Sequence, residues 1–170
     1  EEVKMIADLG VKRIEFIDDI FNVKAKDFVE FFNRVKKDNL DVSFSFPTAL
    51  KGDLLNKEII DTMMEGGAVG VNVSLESAST RMQKVMRKNL NIEKFRENLE
   101  YICKFHPSAV TTLNTMHGFP TETEEEAKMT LDFIFSMKWV HFPYTHIVRI
   151  FPGTDLEKFA LDHGVDKGAI

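Results

Sequence analysis

Residues 70–76 read Gly-Val-Asn-Val-Ser-Leu-Glu, and this short stretch decides the fold. Side chains on a strand alternate, so Val71, Val73 and Leu75 share one face while Gly70, Asn72, Ser74 and Glu76 share the other. An aliphatic face packs on helices; a face of amides, hydroxyls and a carboxylate lines a cavity. The same contrast recurs in the neighbouring extended segments. Val42, Phe44 and Phe46 oppose Ser43 and Ser45, and Ile14 and Phe16 oppose Glu15 and Asp19.

Working outward, each extended run is followed by a helical one. Glu2, Val3, Met5, Ile6 and Leu9 form a helix-like opening stopped by Gly10, ahead of a strand over Arg13 to Ile17. Phe28, Phe31, Phe32 and Val35 fall at i, i+3, i+4 and i+7, the spacing of an amphipathic helix. A strand over Val42 to Phe46 is expected to end at Pro47, and Asn56 caps a helix that stops at Gly66-Gly67. After the strand Gly70 to Leu75 come helices near Thr80 to Arg87 and Ile92 to Phe105, the second capped by Asn91. Val110 to Met116 is the fourth strand, and a fifth lies within Phe142 to Ile150. Capping-box patterns, Thr123-x-x-Glu126 and Thr154-x-x-Glu157, open the helices that follow them.

Five strand–helix alternations without a linker predict one α/β domain over residues 1–170 with a parallel sheet. Two closures suit such a sheet. A doubly wound sheet needs special chemistry at the few strand ends beside its switch point. Here every strand ends in polar or turn-forming groups: Asp18-Asp19, Pro47-Thr48, Glu76-Ser77, Gly118-Phe119-Pro120 and Pro152-Gly153-Thr154. That pattern predicts a partial TIM-like βα barrel, whose strand ends all face one site. A complete eight-unit barrel typically takes about 250 residues, more than the 170 here. The first strand has no predecessor, so a missing upstream unit is expected.

Composition narrows the function classes. A hydrophobic fraction of 44% and a charged fraction of 29% describe an ordinary globular chain. A net charge of −5 disfavours a nucleic-acid or anionic-membrane surface. No apolar run approaches the ~20 residues of a membrane span, and a cytoplasmic protein is expected. One cysteine leaves no internal disulfide, zinc ribbon or self-held iron–sulfur cluster. Cys103 sits on the apolar side of a helix and reads as a small buried hydrophobe. The histidines at 106, 117, 141, 146 and 163 lack metal spacing, and His141 and His146 point to opposite faces. No metal site is expected. The fifteen phenylalanines fall mostly at core spacings.

Glu76 is the sharpest candidate, because a carboxylate on a strand-end polar face needs a ligand, a cation or an ion pair. Lys88 and Arg87 are the available pairing partners. Of Asp18 and Asp19 only one can face the site, and Asp19 shares phase with Glu15; the alternative is a helix cap. The turn Gly118-Phe119-Pro120-Thr121-Glu122-Thr123 offers backbone amides. The glutamates at 122, 124, 125 and 126 favour a role in shape over anion binding.

In this order, the segments IEFIDDIF, VNVSLESASTRMQKVMRKNLNIEKF, LNTMHGFPTETEEEAKMTLDFI and IVRIFPGTDLEKFA resemble the radical S-adenosylmethionine superfamily. The GFPTET turn followed one unit later by PGT is the specific pair, and DDIF resembles the cobalamin-associated branch, with its ring cyclase-like and methyltransferase-like members. The resemblance implies a partial six-stranded barrel, five units of which are here. It implies S-adenosylmethionine and a [4Fe–4S] cluster as cofactors, with cobalamin left open. It implies that the intact enzyme cleaves S-adenosylmethionine reductively and abstracts hydrogen from a small-molecule substrate. By position it implies that Glu76 approaches the ribose or methionine part of the cofactor, and that Lys88, or Arg87 in a shifted register, takes the carboxylate. Asn114 and Ser45 become polar strand contacts, Gly118, Phe119 and Pro120 the adenine-side turn, and Asp19 stands where the family has a glycine–glycine–glutamate stretch.

The family's CxxxCxxC loop is absent, and Cys103 cannot replace it. The chain is therefore expected to cradle cofactor and substrate while holding no iron itself. The alternative is a cluster-free scaffold or binding domain. An unpaired edge on Arg13 to Ile17 would favour self-association.

Overall fold

A computed structural model describes residues 1–169. Its elements are α1 (Glu2–Asp8), β1 (Arg13–Glu15), α2 (Ala25–Lys37), β2 (Ser43–Leu50), α3 (Lys57–Glu65), β3 (Ala68–Glu76), α4 (Thr80–Val85), α5 (Ile92–Phe105), β4 (Val110–His117), α6 (Glu124–Ser136), β5 (Phe142–Ile147) and α7 (Asp155–Asp162). Short 3₁₀ turns cover Gly52–Leu54 and Lys167–Ala169.

All five strands are parallel, and their spatial order is β1-β2-β3-β4-β5. A doubly wound sheet must reverse direction at a switch point. Here each strand adds beside its predecessor, as in the wall of a barrel. The α/β class and the barrel-like winding read from the sequence are what the structure shows. Among the described residues β1 pairs with β2 alone and β5 with β4 alone, so both outer strands are edges.

One face carries the core. Val71, Val73 and Leu75 are buried there with Phe44, Phe46 and Leu113 against Phe28 and Phe32 of α2, Ile60 and Met63 of α3, and Phe95, Leu99 and Ile102 of α5. Phe16, Phe21, Phe28, Phe31, Phe32, Phe44 and Phe46 form one aromatic cluster with centroid separations from 4.1 to 6.3 Å. Close packing leaves no room for a side chain at several glycines, Gly66 and Gly67 among them. A Cβ on Gly66 would lie 2.6 Å from the Phe32 ring, and on Gly67, whose φ is +98°, 2.7 Å from the Val42 carbonyl oxygen.

Three local readings need correction. Pro47 does not end β2, which continues to Leu50. The register jumps from Phe46↔Val71 to Leu50↔Val73, so Pro47 lies in an irregular stretch where no ladder N–H is required of it. β1 is shorter than Arg13 to Ile17, although the Phe16 N–H still donates to the Ser45 carbonyl at 2.9 Å. The second capping box is only half formed. Thr154 accepts from the Glu157 N–H, but the Glu157 carboxylate accepts from Gly153. The box at Thr123 and Glu126 is complete, and Asn56 and Asn91 cap α3 and α5.

Candidate functional site

The second face of the sheet is polar and uncovered. Strand register aligns Glu15 with Ser45 and Ser45 with Gly70, then Asn72 with Thr112 and Phe142, and Ser74 with Asn114 and Tyr144. Ser45 Oγ donates to Glu15 at 3.1 Å. A ladder of side-chain contacts then crosses four strands. Asn72 Nδ2 donates to the Pro47 carbonyl at 2.8 Å, Asn114 Nδ2 donates to Asn72 Oδ1 at 2.8 Å, and His146 Nε2 lies 3.4 Å from Asn114 Oδ1. Phe142 and Tyr144 stack in parallel along β5, half-exposed. Between them these groups offer donors, acceptors and two ring faces to a molecule lying on the sheet.

At the C-terminal end of β3 the backbone departs from regular structure. Glu76 has φ +63°, and the Ser77 N–H closes back on the Leu75 carbonyl at 3.0 Å, an i to i+2 bond. This is a γ-turn with its centre in the left-handed region, strained for a residue bearing a Cβ. The pairing with β4 shifts at the same point, between Ser74 and Glu76. The Glu76 carboxylate accepts from Lys88 Nζ at 2.6 Å, and the two side chains are 18% and 27% exposed. Lys88, not Arg87, is therefore the pairing partner; Arg87 points into solvent toward Asp155, 3.8 Å away.

Gly118, at the end of β4, has φ +82° and opens the turn to α6. Its N–H donates to Glu122 Oε2 at 2.7 Å, so the turn's own glutamate occupies the amide that an anion would need. Phe119 packs on Phe159 of α7, and Pro120 is buried. The shape of this turn, rather than its charge, is what it contributes. Behind it Glu126 is buried and accepts from Arg81 Nε and Nη2, at 2.8 and 2.5 Å, and from Ser79 Oγ at 2.6 Å. The Arg81 hydrogen bond, with help from Ser79 and the Thr123 amide, outweighs burial and lowers the Glu126 carboxyl from 4.5 to about 2.

The other candidates separate. Asp19 is exposed in the loop after β1 and makes no side-chain hydrogen bond or ion pair among the described residues. Neither Asp18 nor Asp19 caps a helix, since α2 begins after Lys24 without a side-chain cap. Cys103 is buried on the core face, 3.7 Å from Thr111 Oγ1, and burial raises its thiol pKa. It faces away from the polar wall and burial disfavours its thiolate, so it does not suit an iron–sulfur cluster. No group of three metal-ligating side chains occurs among the described residues. His141 meets Thr111 on the core side and His146 meets Asn114 on the open side, as alternation requires. His106 pairs with Asp61 at the opposite end of the strands.

Ser45, Glu76, Lys88, Asn114 and the Gly118–Pro120 turn thus lie on one polar face or at its C-terminal rim, while Asp19, in the loop after β1, has no side-chain partner among the described residues. Sequence reading missed Gln83 of α4, whose amide donates to the Leu75 and Ser77 carbonyls, and Arg81. A glutamine or arginine on a short helix carries no local sign of the strand end it serves.

The radical SAM superfamily profile matches residues 1–134. An uncharacterized methyltransferase of Pyrococcus horikoshii is 29% identical over 154 residues, covering 91% of this chain and 32% of that protein. A tRNA-2-methylthio-N(6)-dimethylallyladenosine synthase of Bacillus mycoides is 27% identical, covering 77% of this chain and 27% of that protein. The chain therefore spans about a third or less of these two relatives. Among solved structures, the radical S-adenosylmethionine methyltransferase TsrM from Kitasatospora setae, with cobalamin and a [4Fe-4S] cluster bound, superposes with a TM-score of 0.78. It is 15% identical and covers 91% of this chain and 29% of its own. Coproporphyrinogen III oxidase from Escherichia coli, a radical SAM enzyme, gives 0.63 at 11% identity, covering 89% of this chain and 36% of that one.

Proposed function

The chain belongs to the radical SAM superfamily, and from that membership we propose that its polar sheet face is the wall on which an enzyme holds S-adenosylmethionine and a small-molecule substrate. The observation that carries the reading is Glu76. A carboxylate set by a strained turn at a strand end, and paired with Lys88, presents opposite charges side by side. A zwitterionic amino-acid group such as the methionine part of S-adenosylmethionine needs that complement. Asn72, Ser74 and Asn114 supply neutral donors and acceptors along the same wall.

A [4Fe–4S] cluster does not suit the residues present, because the lone thiol is buried on the other face. Transfer of a methyl or methylthio group is the chemistry named for the two curated relatives, and we extend it to the protein in which this wall operates. Cobalamin, bound in TsrM, is the methyl carrier that a methyl-transfer version of this reading would use.

In the full-length protein, Glu76→Ala should weaken S-adenosylmethionine binding roughly tenfold or more by calorimetry, the loss of about 1.4 kcal/mol or more. Melting temperature should fall modestly, since alanine keeps the Cβ that strains φ +63° and only a partly exposed ion pair is lost. Unchanged affinity removes Glu76 from the site.

A further inference from the structure

Residues that are not glycine hold left-handed backbone on either side of α4: Glu76 at φ +63° before it, and Arg87 at φ +56° and Asn89 at φ +48° after it. Strained backbone persists only where its surroundings over-determine it. Both sides are tied to the same side chain or main chain. Gln83 Nε2 donates to the Leu75 carbonyl and to the Ser77 carbonyl, each at 2.6 Å, so its amide bridges the carbonyls of the two residues on either side of Glu76. The Gln83 carbonyl accepts the Lys88 N–H at 2.9 Å, while Arg87 N–H donates to Lys84. That pair of bonds is a Schellman ending for α4, with Lys88 as its terminal donor.

Gln83 is 2% exposed, and its own Oε1 finds no hydrogen-bond partner among the described residues. Leaving a buried acceptor unpaired is unfavourable. A hydrophobic residue would avoid it at this position, so the two donor bonds are what the amide provides. Glutamate of the same length would instead set an oxygen against two carbonyl oxygens.

We propose that Gln83 is the positioning residue of the site: its side chain locks the Glu76 turn while its carbonyl anchors Lys88, delivering carboxylate and ammonium as one preset pair. The inference rests on the reading of Glu76 as a cofactor contact. It adds that the pair's geometry is set from behind by a residue that touches no ligand.

Asn98 supplies the control. It is buried, and its Nδ2 donates to two backbone carbonyls, Gly52 and Leu55, in the same manner but below a different loop. Gln83→Met and Asn98→Leu each remove two such donors while keeping side-chain volume. Both should lower the melting temperature. Gln83→Met alone should weaken S-adenosylmethionine binding roughly tenfold, with Asn98→Leu within about twofold of the parent protein. A crystal structure of Gln83→Met should show Glu76 relaxed to negative φ and the Lys88 contact opened.

Retained left-handed φ and an intact pair in that structure would overturn the proposal, as would equal affinity losses in the two variants. Should the parent protein bind no S-adenosylmethionine, the cofactor reading falls, and the Glu76 geometry in Gln83→Met still decides the role of Gln83.

Discussion

At the scale of single residues, the informative groups are those whose chemistry is constrained twice. Glu126 is both the reciprocal member of the capping box on α6 and the acceptor for Arg81 and Ser79. Its carboxyl is held at about 2, below the ordinary 4.5. A depressed carboxyl stabilises the fold above its unfolded pKa, and that contribution fades as pH falls from about 4.5 toward about 2. Glu126→Gln should cost about 1–3 kcal/mol at neutral pH. It should also lose the part of the acid sensitivity that lies in that window. Urea titrations at neutral pH and near pH 3 measure both, and an unchanged difference between the two pH values would exclude Glu126 as its source. Glu76 was legible in sequence because alternation and strand-end position mark it. Its left-handed backbone and its dependence on Gln83 were not, since both arise from a turn that no residue type announces.

At the scale of elements, the helices were legible because their caps and apolar spacings are local. Asn56, Asn91 and the Thr123–Glu126 box begin their helices where the side chains say they should. β2 was misjudged because an interruption was read from Pro47 alone. Proline is excluded from a regular ladder, and the neighbouring strand permits it by slipping register. The close of α3 carries a different constraint. Gly66 has an ordinary φ of −84°, so alanine there suffers no backbone strain, yet its Cβ would meet the fully buried Phe32 ring at 2.6 Å. Gly66→Ala should destabilise by about 1–3 kcal/mol through overpacking. Gly10, at φ +88° with open space around it, has strain without a clash, and Gly10→Ala should cost about 1 kcal/mol. Chemical denaturation of both variants tests the order; a more tolerated Gly66→Ala would show that α2 yields at that point.

At the scale of the whole molecule, sequential parallel strands leave one face packed and one face open. The polar half of each alternating strand was visible in Ser45, Asn72, Ser74 and Asn114 before any geometry was known. The ladder from Pro47 through Asn72 and Asn114 to His146 was not, because it depends on register between residues 25 to 42 positions apart. No helix among the described residues is long and apolar enough to cross a membrane. On the proposed reading the open face, and not the helical layer, receives the cofactor. A crystal structure of the full-length protein grown with S-adenosylmethionine tests it most directly. The methionine group is expected against Glu76 and Lys88, with the remainder of the molecule along Asn72 and Asn114. S-adenosylmethionine bound elsewhere, with the Glu76–Lys88 pair untouched, would contradict it.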